Sequence, residues 1–389
     1  MISGLPRPVE RLDQLDMLRG IASLVVVLNH YVQTVPEDIR YLTSYPLGIF
    51  DPAAWLTPWP WLRASPFRLL VAGQAAVDLF FVLSGFVLAF SIRRDWQPNT
   101  VVFLVKRFCR IYLPFLIVLL MTVGVYNALP IKFHAGNSIW MNEITSNAAA
   151  SIDDWFSHLL LTGLNTDMRL NPVMWTLVHE LRISLIMPVL FLAIRCFGTM
   201  PVLVTSLLLS IAASVGMNDS ISGTWQASLH FLWMFVLGMT IAIHRRALLD
   251  RLVSWSRWQF AMAVVLALGL MAVPFSRVWA DFAIAPGAGL LIALTMHPSV
   301  GRRMQGVRPL RWLGQISYSL YLVHLPILVI LVSYTDFSPS IILVISLAAA
   351  HLAYLGIEKP AQQLGSLLGR MICIHRDMTL RVASGGDPV

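Results

Sequence analysis

Apolar residues run along this chain in blocks of about 20, separated by short polar segments. A helix rises 1.5 Å per residue, so a block of that length crosses a hydrocarbon core of roughly 30 Å. Ten segments fit: 15–35, 69–91, 111–129, 172–194, 200–216, 226–243, 258–274, 279–297, 312–333 and 339–357. The segment 200–216 is short. The segment 279–297 carries Pro286, Gly287 and Gly289 and is expected to be broken. The pattern predicts an all-α, polytopic integral membrane protein with about ten transmembrane helices.

Composition agrees: 57% of the residues are hydrophobic and 12% charged, half the charged share of an average soluble domain. Mean hydropathy is +0.71. The net charge of +8 is no nucleic-acid signal, because the basic residues fall in short segments between apolar blocks, where they set orientation. With the N-terminus inside, 20 of the 28 Lys and Arg lie on the cytoplasmic side and 6 outside; Arg19 and Arg182 lie within spans. Both termini are therefore expected in the cytoplasm. Residues 1–374 read as one membrane domain and 375–389 as a polar, disordered tail. Residues 100–110 read as a basic helix at the inner surface. Two outer loops are long: 36–68, with Trp55, Trp59 and Trp61 suited to the headgroup level, and 130–171, with an amphipathic piece near Trp155–Leu164. Cys109, Cys196 and Cys373 lack metal-ligand spacing and read as free thiols.

Ionisable groups inside spans are costly and point to function or internal pairing. The first span, LDMLRGIASLVVVLNH, holds Arg19 and His30. Eleven residues make about three turns, so the two share a face some 16 Å apart. Span 2 holds Asp78, span 4 His179, Glu180 and Arg182, and span 9 His324. Counting from the span ends, His30 lies about 8 Å below the outer edge, and Asp78, Glu180 and His324 about 12 Å. These four are expected to face one chamber. Arg19, Arg107 and Arg110 fall near the inner edge, where guanidinium suits phosphate. An imidazole beside a carboxylate suits general-base activation of a hydroxyl. Each residue also has a plainer reading: a snorkelling arginine, a wetted histidine, an internal Glu180–Arg182 pair. No spacing supports a metal site.

At these residues the chain resembles the membrane acyltransferase-3 family, which includes O-antigen and exopolysaccharide O-acetyltransferases. The matching segments, in the family's order, are LDMLRGIASLVVVLNH (15–30), DLFFVLSGFVLAF (78–90), KRFCRIYLP (106–114), WTLVHELRISLIMP (175–188), LGQISYSLYLVHLPI (313–327) and IEKP (357–360). The resemblance implies a bacterial inner-membrane enzyme that moves an acyl group, usually acetyl, from cytosolic acyl-CoA to a hydroxyl of a lipid-linked or polymeric saccharide. The family's arginine–histidine motif falls on Arg19 and His30, its basic pair on Arg107 and Arg110, its glutamate on Glu180. His30, Glu180 and Asp78 are thus the expected catalytic groups, and Arg19, Arg107 and Arg110 the expected donor site. Trp175, Tyr318 and His324, in the matching segments, are expected to meet the acceptor. Leu181, Ile183 and Ser184 depart from the family pattern of a second acid and an aromatic pair. A transporter or flippase of a lipid-linked saccharide, with the same charges lining a path, is the alternative; no internal repeat supports it.

Overall fold

The structure, a computed structural model, describes residues 12–34, 66–94, 100–129, 138–145, 152–163, 170–217, 223–273, 277–335 and 337–383. The Trp55, Trp59 and Trp61 segment, residues 130–137, 146–151 and 164–169 of the second long loop, and residues 384–389 lie outside the described residues.

Every regular element described is helical. The long helices are α1 (Asp13–Gln33), α2 (Gly73–Arg94), α3 (Thr100–Ala128), α6 (Met174–Phe197), α8 (Trp225–Val253), α10 (Arg277–Thr295) and α12 (Arg308–Tyr334). Between them, α4 (Ile139–Thr145), α5 (Ile152–Leu159) and α11 (Pro298–Gln305) are short, while α7 (Thr199–Ser214) and α9 (Arg257–Met271) are apolar but under 18 residues. Helix α13 (Pro339–Ala353) runs through a π-helical turn (Tyr354–Glu358) into α14 (Lys359–Ala383). Among the described residues, eight helical stretches are long and apolar enough to cross a membrane; α7 and α9 fall at the other two expected segments and are shorter.

The element ends differ from the expected ones where context outweighs composition. The basic stretch 100–110 and the third span form one continuous helix, α3. Helix α10 is unbroken: Pro286 sits on its exposed face, while Ala285 and Ala288 are buried against neighbours, and packed neighbours hold a proline-containing span together. The helix beyond residue 357 does not stop. Pro360 has no N–H to continue an α ladder, and the wider π turn precedes it. Helix α14 runs on through Ala383, into the segment read as a polar tail. That helix packs on α3, where a Cβ at Gly365 would sit 2.9 Å from Cys109 Cβ.

Lipid tails are as apolar as leucine, so helix association in a membrane depends on close packing at small residues. Two crossings show this. Gly85 of α2 and Gly238 of α8 each place a would-be Cβ against the other helix's backbone, at Phe235 O and Val82 O. Gly20 of α1 and Gly314 of α12 do the same: a Cβ on Gly20 would lie 2.6 Å from Gly314 N, and one on Gly314 2.5 Å from Asp16 O. Helices α2 and α8 are the most enclosed spans, whereas α7, α9 and α13 expose Leu208, Met262 and Val344 outward.

A buried polar clamp ties four helices. His230 (α8) lies 2.9 Å from Asp281 (α10) through Nε2 and 2.8 Å from Ser214 Oγ (α7) through Nδ1. Gln74 of α2 donates to the second Asp281 oxygen. All this sits at zero to partial exposure, and each buried polar atom in it has a partner, as burial requires.

Candidate active site

The α1–α12 crossing positions two sets of side chains. Helices α1 and α12 are parallel, because Gly20 meets Gly314 and His30, ten residues on, meets His324, also ten residues on. At the N-terminal end of this pair lies a polar cavity of about 310 Å³. Arg19, Arg107, Arg110, Glu180, Tyr318 and Glu358 line it, with Phe80, Thr176 and Tyr321. Helix α1 begins with Asp13 and Asp16 in its first turn, where carboxylates suit the helix dipole, and Asp16 stands 3.5 Å from Arg19.

Three guanidiniums here face three carboxylates. Arg107 Nη2 lies 3.5 Å from Glu180 Oε1, which also accepts from Ser84 Oγ at 3.2 Å. Glu358 accepts from Ser319 N–H (3.2 Å), Ser319 Oγ (2.6 Å) and Gln362 Nε2 (2.9 Å). Arg110 is exposed at the cavity wall and makes no ion pair among the described residues. The Tyr318 hydroxyl donates to Ile111 O at 2.6 Å, which pins α12 to α3. The π turn brings both Tyr354 and Glu358 to the cavity. Such turns recur at functional sites.

The second set is built on the far ends of the same helices. His30 Nδ1 lies 2.8 Å from His324 Nε2, and His324 Nδ1 lies 2.9 Å from Leu320 O. The Trp140 ring of α4 stacks on His30 at 5.6 Å and 13°. Helix α4 is held there by Ser138 Oγ, which donates to Gln33 O at 2.6 Å and accepts from Met141 N–H. The two sets meet at Tyr321. Its ring lines the cavity, lies 6.0 Å from the His324 ring, and its hydroxyl is 2.7 Å from Thr176 Oγ1.

The expected single chamber is therefore divided. His30 and His324 do come together. Glu180, expected at their depth, instead faces Arg107 in the cavity. Its position on α6 turns it toward α3, a choice that depth along the chain does not fix. Arg19, Arg107, Arg110 and Tyr318 line that cavity too. Asp78 is 1% exposed and lies outside the cavity lining, although Val77 and Phe80 contribute to it. Trp175 packs among Phe81, His179 and Phe231 rather than lining the cavity. Arg182 does not pair with Glu180; it donates to Thr224 O (3.0 Å), Ser228 Oγ (2.9 Å) and Thr162 O, under the Trp225 ring.

Sequence reasoning missed Trp140, Tyr321, Ser84 and Glu358. Tyr321 and Glu358 fall within the segments SYSLYLVH and IEKP, so a signal for them was present. Trp140 had none, since nothing local ties it to α1.

A family model described as an acyltransferase domain, acyltransferase family 3, matches residues 12–356. A multi-pass helical protein with this match is a membrane acyltransferase. The chain belongs to the acyltransferase-3 family. It is 26% identical over 348 residues to the acyltransferase MdmB of Streptomyces mycarofaciens, which covers 82% of this chain and 80% of that protein. It is 25% identical over 336 residues to the putative membrane-bound transacylase BcsY of Komagataeibacter xylinus, covering 83% and 74%. It is 24% identical over 305 residues to the peptidoglycan O-acetyltransferase OatA of Listeria monocytogenes, covering 66% of this chain and 45% of that protein. The chain thus spans less than half the length of OatA. No solved structure matches.

Proposed function

We propose that this enzyme transfers an acyl group, most simply acetyl, from cytosolic acyl-CoA to a hydroxyl of a membrane-associated saccharide in a bacterial inner membrane. The observation that carries the reading is the gathering of Arg19, Arg107 and Arg110 in one cavity that ends at Tyr321, one ring from the His30–His324 pair. Arginines in a partly enclosed cavity suit the phosphates of a CoA thioester. The cavity fits such a group: Arg110 is exposed with no ion pair among the described residues, and the Arg107–Glu180 contact is long enough to be exchanged.

The excess of Lys and Arg toward the N-terminal side of α1 supports a cytoplasmic mouth. Acyl-CoA supplies an activated thioester carbonyl. The chain's own groups then divide the work. Arg110 and Arg107 hold the anionic part, and Tyr318 and Glu358 shape the wall between α3, α12 and α14. The Thr176–Tyr321 pair stands at the deep end, between the cavity and His324. His30 takes the proton from the acceptor hydroxyl as general base. A saccharide acceptor is favoured because OatA is named for acting on peptidoglycan, itself a glycan. The departures at Leu181, Ile183 and Ser184 bear on which acceptor is taken.

The test uses the purified full-length protein in lipid nanodiscs with labelled acetyl-CoA and isolated membrane glycan. His30→Ala is expected to lower transfer by about 10²–10⁴-fold while the protein still accumulates. Replacing Arg107 and Arg110 together is expected to raise the apparent KM for acetyl-CoA. Unchanged transfer in His30→Ala removes histidine as base, and an unchanged KM removes the arginines as donor site. Acceptor movement without CoA turnover would favour a transporter instead.

A further inference from the structure

The contacts of His324 define its tautomer, and through it which nitrogen of His30 donates between the two rings. The Leu320 carbonyl only accepts, so His324 Nδ1, 2.9 Å away, carries a proton. His324 is 1% exposed, and burial disfavours a charged imidazole without a counter-ion. Its neutral form leaves the lone pair on Nε2. His30 Nδ1, 2.8 Å from that atom, must then be the donor. A neutral His30 protonated on Nδ1 carries its basic lone pair on Nε2. One carbonyl thus sets two tautomers in series.

The ring geometry makes this bond a good one. The two planes are 7° apart and the centroids 5.1 Å. That separation is the 2.8 Å N–N distance extended by one ring radius at each end. The rings therefore lie edge to edge in nearly one plane, with the hydrogen bond along the lone-pair direction, and they are not stacked face to face. Trp140 covers a face of His30 at 5.6 Å and limits its rotation. Backbone register supplies the rest, because Gly20 against Gly314 fixes how α1 slides along α12.

We propose that His324 is a positioning residue for His30: it holds His30 in the Nδ1–H tautomer with Nε2 as the base, and shares the proton's charge when His30 takes it up. This rests on His30 being the base. A histidine partner does here what a carboxylate does in a Ser-His-Asp triad, orienting the imidazole and fixing its tautomer, but without a buried negative charge. In the reaction the acceptor O–H gives its proton to His30 Nε2 as its oxygen bonds to the acyl carbon. The carbon–sulfur bond then breaks, and the proton leaves on the thiolate sulfur. Meanwhile the positive charge on His30 is spread across the hydrogen bond to His324 Nε2, whose Nδ1–H stays on Leu320 O.

This role differs from direct contact with the acceptor, and two near-isosteric variants separate them. In His324→Gln the amide oxygen reaches the position of Nε2 and can accept from His30 Nδ1–H. In His324→Asn the amide ends nearer the ring's Nδ1 position and cannot. His324→Asn is expected to lower kcat by about 10²-fold with KM values for donor and acceptor within twofold of wild type. His324→Gln is expected to recover at least tenfold of that loss. Equal losses in the two variants, a kcat unchanged in His324→Asn, or an effect confined to the acceptor KM would overturn the proposal. His30→Ala measured alongside keeps the outcomes apart: full transfer in that variant means the base assignment has failed, whatever His324 does.

Discussion

Alanine at Gly314 tests whether the α1–α12 crossing sets the site. A Cβ there would lie 2.5 Å from Asp16 O, 2.7 Å from Asp16 C and 3.0 Å from Met17 N. All three are backbone atoms, so no side chain can turn aside. Restoring ordinary contact at 3.4 Å requires the helices to part by roughly 0.9 Å. Overpacking of this kind costs about 1–3 kcal/mol, while alanine in place of glycine returns about 0.5–1 kcal/mol of helix propensity. A net loss of about 1 kcal/mol follows, small enough for the protein to fold. The effect on the site is larger. Carried ten residues along both helices, the same displacement takes the His30–His324 separation from 2.8 Å to roughly 3.7 Å, outside hydrogen-bond range. Gly314→Ala is therefore expected to lose at least tenfold in acyl transfer for a drop of only a few degrees in Tm. The assay pairs transfer rates in nanodiscs with thermal unfolding. Gly269→Ala in α9, where a Cβ would meet nothing within 4 Å, is the control and should be neutral or slightly stabilising. Full activity in Gly314→Ala, with a Tm matching that control, would refute the argument.

Two further outcomes follow from buried groups away from the reaction. Asp281→Ala strands His230 among fully buried neighbours and is expected to cost about 3–5 kcal/mol, read as a large fall in Tm; a wild-type melting curve would contradict the clamp. His158 of α5 is buried, its Nδ1–H donating to Asp154 O at 2.8 Å and its Nε2 accepting from Asn171 N–H. Burial holds its pKa below the ordinary histidine value. Its contribution to stability is thus present above pH ~6.5 and lost as the pH falls below it. The Tm should fall between pH 7.5 and 5.5 in wild type and less so in His158→Gln, and equal slopes in the two would count against it.

The sequence alone determined the class of this protein and the identity of most of its polar groups. A block of 20 apolar residues has one stable answer in hydrocarbon, because only a helix satisfies its own backbone there. For the same reason Arg19, His30, Glu180 and His324 stood out, since burial makes each of them expensive. Their partners were another matter. Distance along a span gives depth but not which neighbour a face meets, so Glu180 read as a companion of His30 when its face turns to Arg107. Pro286 read as a break until packing on either side of α10 showed what holds it. His230 and Asp281, 51 residues apart in sequence, carried no local sign of being a pair. The decisive case is His30 with His324, 294 residues apart. Two glycines, Gly20 and Gly314, let their helices touch and fix the register, and helix register is a property of the packed pair that neither segment holds by itself.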